Sequence, residues 1–369
     1  MTATIATITG SISYLLFLVL LTTTSATTYD PYFSKTTLFS DYSKMLSNLK
    51  IFIYPPPPLN TTTTTINFSD EMIPNPLSLF HTSLLNSPYL TRHPTHATLF
   101  FLPFPPLSTR SLARHIQHIR TAYPFWNRSL GADHFYLTRH GVGPASTRNV
   151  VELVKNAVQI STFPSPAREF IPHKDLTLPP YFPPLTSPHA PLTPVPPTRY
   201  LGYATSAKTF PTLENDDDFL IESATSDDDV YLENIKQSKF CLFNYADVAG
   251  MNKLGAALAH GCVPVVISDR PIQDFPLMDI IRWSEIAMFV GPNMGIDEIK
   301  RVLKGACEEG GGYERMRGLG VEAAHHMMWN VELEKGEPLD AFEMVIYQLW
   351  LRRHSIRYAT WDGGATQST

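Results

Sequence analysis

Short, nearly continuous apolar runs recur along the chain, separated by stretches with helical periodicity. Lys50 to Tyr54 (KIFIY) predicts a first strand, stopped by Pro55 to Pro58. Ala97 to Pro103 (ATLFFLP) carries no charge on either alternate set of positions. That is the pattern of a strand covered on both faces, as in a parallel sheet. Between and after these runs, Leu77 to Leu85, Ser111 to Tyr123 and Arg148 to Ile160 predict helices, and Asp133 to Leu137 a strand. Farther on, Arg199 to Ala204 and Lys239 to Asn244 predict strands, with an acidic loop from Asp216 to Asp229 between them. Tyr245 to Gly250 is a turn, Met251 to His260 a short helix, and Cys262 to Ser268 (CVPVVIS) a further strand. This is one strand–helix–strand crossover, which belongs to a parallel sheet. Ile296 to Cys307, Tyr313 to Trp329 and Asp340 to Arg353 complete the predicted helices. There is no internal repeat.

Strands alternating with helices imply an α/β layer architecture. Twelve prolines fall between Pro164 and Pro197, where neither a helix nor a central strand is expected. The chain therefore divides into an α/β half over 48–163, a proline-rich linker over 164–198, a second α/β half over 199–357, and a tail over 358–369. In open α/β sheets, ligands bind beyond the carboxyl ends of the strands. This places Asn244 to Lys253 and Ser268 to Asp274 on a candidate binding rim. The first group opens a helix, whose N–H groups and dipole suit a phosphate. Gly250 either admits a close backbone approach or merely serves the turn.

Before Asp30 there is no charged side chain, and Ile12 to Leu21 reads ISYLLFLVLL. The run has the length of a signal-peptide core; extended back to Ile5 it approaches a membrane span, with Thr7, Thr9, Ser11 and Ser13 inside. A retained anchor over 1–28 and a cleaved signal both send the chain into the secretory lumen. The Thr/Ser-rich stretch after it, 29–47, reads as a stem. Three N-x-[ST] sequons, at Asn60, Asn67 and Asn127, agree with that compartment.

Composition narrows the function classes. In 369 residues, 43% are hydrophobic and 17% charged, which excludes a wholly disordered chain. Lys plus Arg is 29 and Asp plus Glu 34, a net charge of −5. With no basic excess to neutralise a phosphate backbone, nucleic acid is not an expected partner. The cysteines are Cys241, Cys262 and Cys307, too few for a disulfide framework. Cys241 and Cys262, on neighbouring predicted strands, read as buried free thiols acting as small hydrophobes before a bridge or a nucleophile.

Several strings are distinctive and occur in order: KIFIY (Lys50 to Tyr54), HATLFFLPF (His96 to Phe104), YPFWNRSLGADHFYL (Tyr123 to Leu137), HKDLTLPP (His173 to Pro180), KFCLFN (Lys239 to Asn244), GCVPVVISDRPIQDFP (Gly261 to Pro276), YERMR (Tyr313 to Arg317) and LDAFEMVIYQLWLRR (Leu339 to Arg353). Together they resemble the exostosin family, glycosyltransferase family 47 of plants and animals, over roughly residues 48 to 357. The resemblance implies a GT-B fold, with two Rossmann-like domains facing a cleft. It implies transfer of a sugar from a nucleotide-sugar, a UDP-sugar by expectation, to a cell-wall polysaccharide or other glycan acceptor. It further implies an inverting reaction without a bound metal or cofactor, in a type II protein of the Golgi membrane. Complexes with homologous glycosyltransferases are among the implied partners.

Residue by residue, the resemblance makes Asp133, His134 and His140 the candidate catalytic groups. A base among them would take the acceptor hydroxyl's proton. On the donor side it points to Asp247, Gly250, Asn252, Lys253, Ser268 and Asp269. Three departures stand out. Gly141 replaces the acid that usually follows His140. Lys253 and Ala256 stand where the family often carries arginine and an acid near the nucleotide ribose. Residues 205 to 219 hold only Lys208 where the family has more arginines. These departures raise the alternative of a non-catalytic, exostosin-like partner or glycan-binding protein.

Some motifs read as structural. Asp216-Asp217-Asp218 and Asp227-Asp228-Asp229 look like the DxD metal motif of the other glycosyltransferase fold, but acidic runs between strands are usually solvated faces. Glu322 and His326 share a helix face, yet lack a third ligand at zinc spacing. Tyr123, Phe125 and Trp126 read as core packing before sugar stacking.

Overall fold

The apolar runs become two five-stranded, all-parallel sheets in the computed structural model. It describes residues 30–56, 75–103, 109–139, 141–142, 148–165, 170–182, 199–205, 216–222, 228–308, 310–330, 339–353 and 356. The candidate His140, the sequons at Asn60 and Asn67, and the apolar run at Ile12 to Leu21 lie outside them. Among the described residues no helix is long and apolar enough to cross a membrane.

The first sheet has the order β1-β2-β3-β4-β5, with β1 Ile51–Ile53, β2 Leu99–Phe101, β3 His134–Thr138, β4 Val158–Thr162 and β5 Leu176–Leu178. The second has the order β10-β9-β8-β6-β7, with β6 Tyr200–Ala204, β7 Phe219–Ile221, β8 Ser238–Asn244, β9 Val263–Ile267 and β10 Met288–Val290.

Side chains alternate across each sheet, as a two-residue period requires. Leu99, Phe101, Phe135, Leu137 and Ile160 of the first sheet share one apolar core with Tyr203, Cys241, Phe243 and Val266 of the second. The opposite faces are covered separately. Phe100 and Tyr136 pack with Leu112, Ile116 and Leu153 of the helices Thr109–Ala122 and Arg148–Asn156. Leu242, Val265 and Ile267 pack with Ile299 and Leu303 of Ile296–Glu308.

The halves are thus fused through a common interior, and both ends of the described chain help to fuse them. Phe33 N donates to the Ile280 carbonyl and Arg282 N to that of Pro31, at 3.0 and 2.8 Å. The helix Lys35–Asn48, begun by a Ser34 cap, then buries Leu38, Tyr42 and Met45. The expected stem is therefore, in this part, a core element. At the other end, helix Ala341–Arg352 returns to the first half. There Tyr89 and Tyr42 donate to Glu343 at 2.5 and 3.3 Å.

Four other expectations need correction. The helix predicted to Ile160 stops at Asn156, and β4 follows at once. The proline-rich linker contains β5, which completes the first sheet as an edge strand, where a following Pro179 is tolerated. The acidic loop contains β7. The cysteines are also joined: Cys241 and Cys262 form a disulfide with Cα atoms 5.7 Å apart.

Candidate functional site

The GADHF string builds a knot of buried polar groups. Leu130 and Gly131 both take positive φ, 53° and 89°, and a Cβ at Gly131 would come within 2.8 Å of the Trp126 ring. This tight reversal turns Arg128 and Ser129 back onto Asp133. Arg128 donates to Oδ2 through Nε (3.1 Å) and Nη2 (2.9 Å), and Ser129 donates to Oδ1 at 2.5 Å. His134 Nδ1 lies 2.7 Å from the same Oδ1, and its Nε2 lies 3.0 Å from the Tyr54 hydroxyl. The imidazole is packed by Phe100 and Trp126, with ring centres 4.9 and 4.8 Å away.

Burial pushes the Asp133 carboxyl up, but the contacts with His134, Ser129 and Arg128 outweigh it and hold it below its ordinary range. Burial lowers the His134 imidazole, so it is neutral at pH 7. Both side chains are 0% exposed. The strand they open runs to Thr138, so they stand at the amino end of the sheet and not at its carboxyl rim. The candidate catalytic pair Asp133 and His134 is therefore buried away from that rim, and the string specifies a brace. Gly141, at the carboxyl end of β3, takes φ 77° and accepts from the Thr138 hydroxyl at 3.1 Å. Glycine adopts that left-handed backbone readily.

HKDLTLPP is a second brace. Asp175 accepts from the N–H groups of Gln159 (3.0 Å) and Ile171 (2.8 Å) and from Lys174, whose Nζ also donates to the Ala157 carbonyl at 2.6 Å.

The carboxyl rim of the second sheet contains the donor candidates. After β8, Asp247 caps the short helix Val248–Met251 and accepts from Gly250 N at 3.2 Å. A carboxylate therefore occupies the turn where a phosphate was expected, and one of the N–H donors is already taken. A Cβ at Gly250 would meet the Asp247 side chain at 2.8 Å, so this glycine serves the cap. Asn252 is exposed at the end of that helix. Lys253 is half-buried, with Nζ 4.3 Å from the Tyr231 ring centre, held by a cation–π contact. Ala256 is buried in the common core. After β9, the Ser268 hydroxyl donates to the Arg270 carbonyl at 2.7 Å, and Asp269 is exposed.

Sequence reasoning placed Asp274 at the end of the rim segment but gave it no role; it stitches the two rims together. Its carboxylate accepts from Ser165 N, beyond β4, at 2.8 Å, and from the Tyr245 hydroxyl, beyond β8, at 2.5 Å. Its carbonyl accepts from Thr177 of β5 at 2.7 Å. Burial raises this carboxyl above its ordinary value despite those donors. The string GCVPVVISDRPIQDFP marks the family, but nothing in it shows that Asp274 reaches Ser165 and Thr177 of the other half.

Other singled-out residues take structural roles, while Asp227 lies outside the described residues. Lys300 pairs with Asp216 and Asp218, each at 2.8 Å, and Lys304 with Asp218 at 3.0 Å. His326 joins the Tyr32 hydroxyl (2.6 Å) and the Leu339 carbonyl (2.7 Å). Phe125 and Trp126 are buried. Asn127 is exposed, while Ser129 of its sequon is turned inward. Among the described residues, no group of three or more His, Cys, Asp or Glu is arranged to hold a metal.

Comparison with known proteins decides the family. The Exostosin GT47 domain profile matches residues 45–305, a span that includes the ten strands found among the described residues. The chain belongs to the exostosin family. Among its relatives, a probable glycosyltransferase of Arabidopsis thaliana is 29% identical over 73% of this chain and 61% of its own length. A probable glucuronosyltransferase of Oryza sativa subsp. japonica is 30% identical over 57% and 59%. The probable beta-1,4-xylosyltransferase IRX10 of Arabidopsis thaliana is 28% identical over 60% and 63%. The chain spans about three fifths of the length of these exostosin relatives. Among solved structures, Acinetobacter baumannii MurG aligns at TM-score 0.35 and 11% identity, covering 82% of this chain and 99% of its own. A Thermobaculum terrenum O-GlcNAc transferase mutant aligns at 0.37 and 10%, covering 83% and 67%.

Proposed function

We propose that this exostosin-family chain is a glycosyltransferase of GT-B type, moving a sugar from a nucleotide-sugar, a UDP-sugar by preference, to a polysaccharide or glycan acceptor. One observation carries the proposal: the family match extends across both parallel sheets, whose carboxyl rims are joined at Asp274. Reactants held between two such rims gain from proximity and orientation. The transfer is taken as inverting and independent of metal.

The Cys241–Cys262 disulfide supports a lumenal site of action, because such bonds persist in oxidising compartments. With the N-terminal apolar run it underlies the reading of a type II Golgi membrane protein, glycosylated at exposed Asn127, and assembled with homologous transferases where complexes form. The test is direct. The purified full-length chain is incubated with a panel of UDP-sugars and wall-type oligosaccharides, and products are read by mass. A product heavier by one sugar supports the proposal; no product from any pair overturns it.

A second reading is favoured by two observations. Ala256 is sealed in the core, and a glycine with left-handed backbone stands at Gly141, so neither position supplies the family's acid. On that reading the chain is a non-catalytic partner, and it binds glycan without turnover.

A further inference from the structure

Beside the carboxyl ends of β9 and β10 lies an open groove of about 520 Å³, within the size range of small-molecule sites. Its aromatic side is a row of rings. Phe275 stacks on Trp283 at 4.3 Å between centres and meets Phe289 edge-on at 5.7 Å. Phe289, on edge strand β10, is 46% exposed, and Phe33 from the N-terminal segment is 64% exposed. Large rings left in water beside a cavity mark a surface that is covered in use. The polar side consists of Arg270, Arg282 and two serine hydroxyls, and among the described residues no carboxylate lines the groove. The lining thus offers two guanidinium groups, one of them, Arg270, also facing the Asp274 carboxyl beside the groove.

We propose that this groove, and not the turn after β8, holds the nucleoside diphosphate of the donor. The base would lie on the exposed rings, because every base offers a π-face to stack. The diphosphate would meet Arg270, whose fork matches phosphate oxygens. Arg270 is on the side of the seam: its guanidinium is 5.6 Å from the ring of Tyr245, the residue that donates to Asp274. A diphosphate there would direct the sugar toward the joined rims. The turn after β8 offers the opposite: the Asp247 carboxylate, a lysine committed to Tyr231, and a buried alanine in place of the ribose-binding acid. The assignment rests on the transferase reading for the identity of its ligand, and on the groove's own chemistry for its place.

Binding is read separately from transfer. The full-length chain in detergent is titrated with UDP, GDP, inorganic diphosphate and trigalacturonate, by calorimetry and by the fluorescence of groove-lining Trp283. UDP or GDP is expected to bind more tightly than diphosphate. Arg270→Ala should weaken that binding by about tenfold or more, Arg270→Lys should restore part of it, and Phe289→Ser should weaken it severalfold. Both positions are exposed, and circular dichroism verifies the fold. Nucleotide binding indifferent to Arg270→Ala and Phe289→Ser overturns the assignment, as does loss confined to Lys253→Ala. Trigalacturonate binding that depends on Arg270, with no nucleotide binding, overturns it in favour of an acidic glycan. Nucleotide binding that falls with Arg270→Ala in a chain that transfers nothing supports the groove and rejects the transferase. Transfer unaffected by Arg270→Ala does the reverse.

Discussion

Asp133 and Asp274 are two aspartates buried to within a few per cent, yet their carboxyls are shifted in opposite directions. Burial raises Asp274, whose oxygens accept from neutral donors only, a backbone N–H and a phenol. Burial acts on Asp133 as well, but a guanidinium with two N–H groups on one oxygen, a serine and an imidazole overcome it. The contrast separates two uses of a buried acid. Asp133, in the most distinctive string of the chain, holds one half together at the amino end of its sheet. Asp274, inside a distinctive string but given no role by it, holds the two halves together at the carboxyl rims.

The largest effect is expected where the charge compensation is strongest. Asp133→Ala strands Arg128 and His134 and should cost about 3–5 kcal/mol, read by denaturant unfolding; a loss under about 1 kcal/mol would show that the brace is dispensable. Next comes Asp340, a third buried carboxyl, pushed up by burial to about 6 as it caps the C-terminal helix. An acid with a raised folded value loses stability as pH climbs from its ordinary value through the raised one. Asp340→Asn keeps a capping oxygen and should remove that loss, on the order of 2–3 kcal/mol between about pH 4 and 7. Parallel pH profiles for the two proteins would reject the assignment.

Asp274→Ala should cost about 1–3 kcal/mol, by leaving Ser165 N and Tyr245 without their acceptor. The pH slopes sharpen the comparison. The stability due to Asp133 is present above the ordinary carboxyl value and lost on acidification, whereas that due to Asp274 falls as pH rises past the ordinary value. Comparing each alanine variant with the parent from about pH 3 to 7 should give slopes of opposite sign, and equal signs would refute the distinction. The smallest effect is Arg128→Lys, about 1 kcal/mol, since the charge remains and the fork is lost. A thermal midpoint indistinguishable from the parent would show that the fork adds nothing.

Much of the architecture was legible because buried parallel strands leave uniform apolar runs: β1, β2, β3, β6, β8 and β9 all stand out in this way. The strands that did not are short or disguised. β4 follows Asn156 with a single intervening residue, so its pattern merges with the helix before it. β5 and β10 are three-residue edge strands, one hidden among prolines. β7 is FLI inside a run of aspartates. The site was less legible, for a different reason. The strings that identify the exostosin family encode tight turns and braces, such as Gly131 against Trp126, and so mark residues that fold the chain. The groove beside β9 and β10 draws on Phe33, Arg270 and Phe289, which no sequence window contains together. The disulfide was hidden likewise, since the count of three cysteines says nothing of which two meet.

The return of the last helix to the first half sets a schedule for synthesis. Tyr89 and its acceptor Glu343 are separated by 254 residues. At about 5–20 residues per second, the interval between their emergence is on the order of 10–50 s. For the first part of that time the inner face of the first sheet lacks the second sheet, and to its end it lacks the closing helix. A ribosome-bound chain carrying only the first half therefore presents Phe101, Phe135 and Ile160 to the surrounding solution, and chaperone occupancy of nascent chains should be greatest before Ala341 emerges.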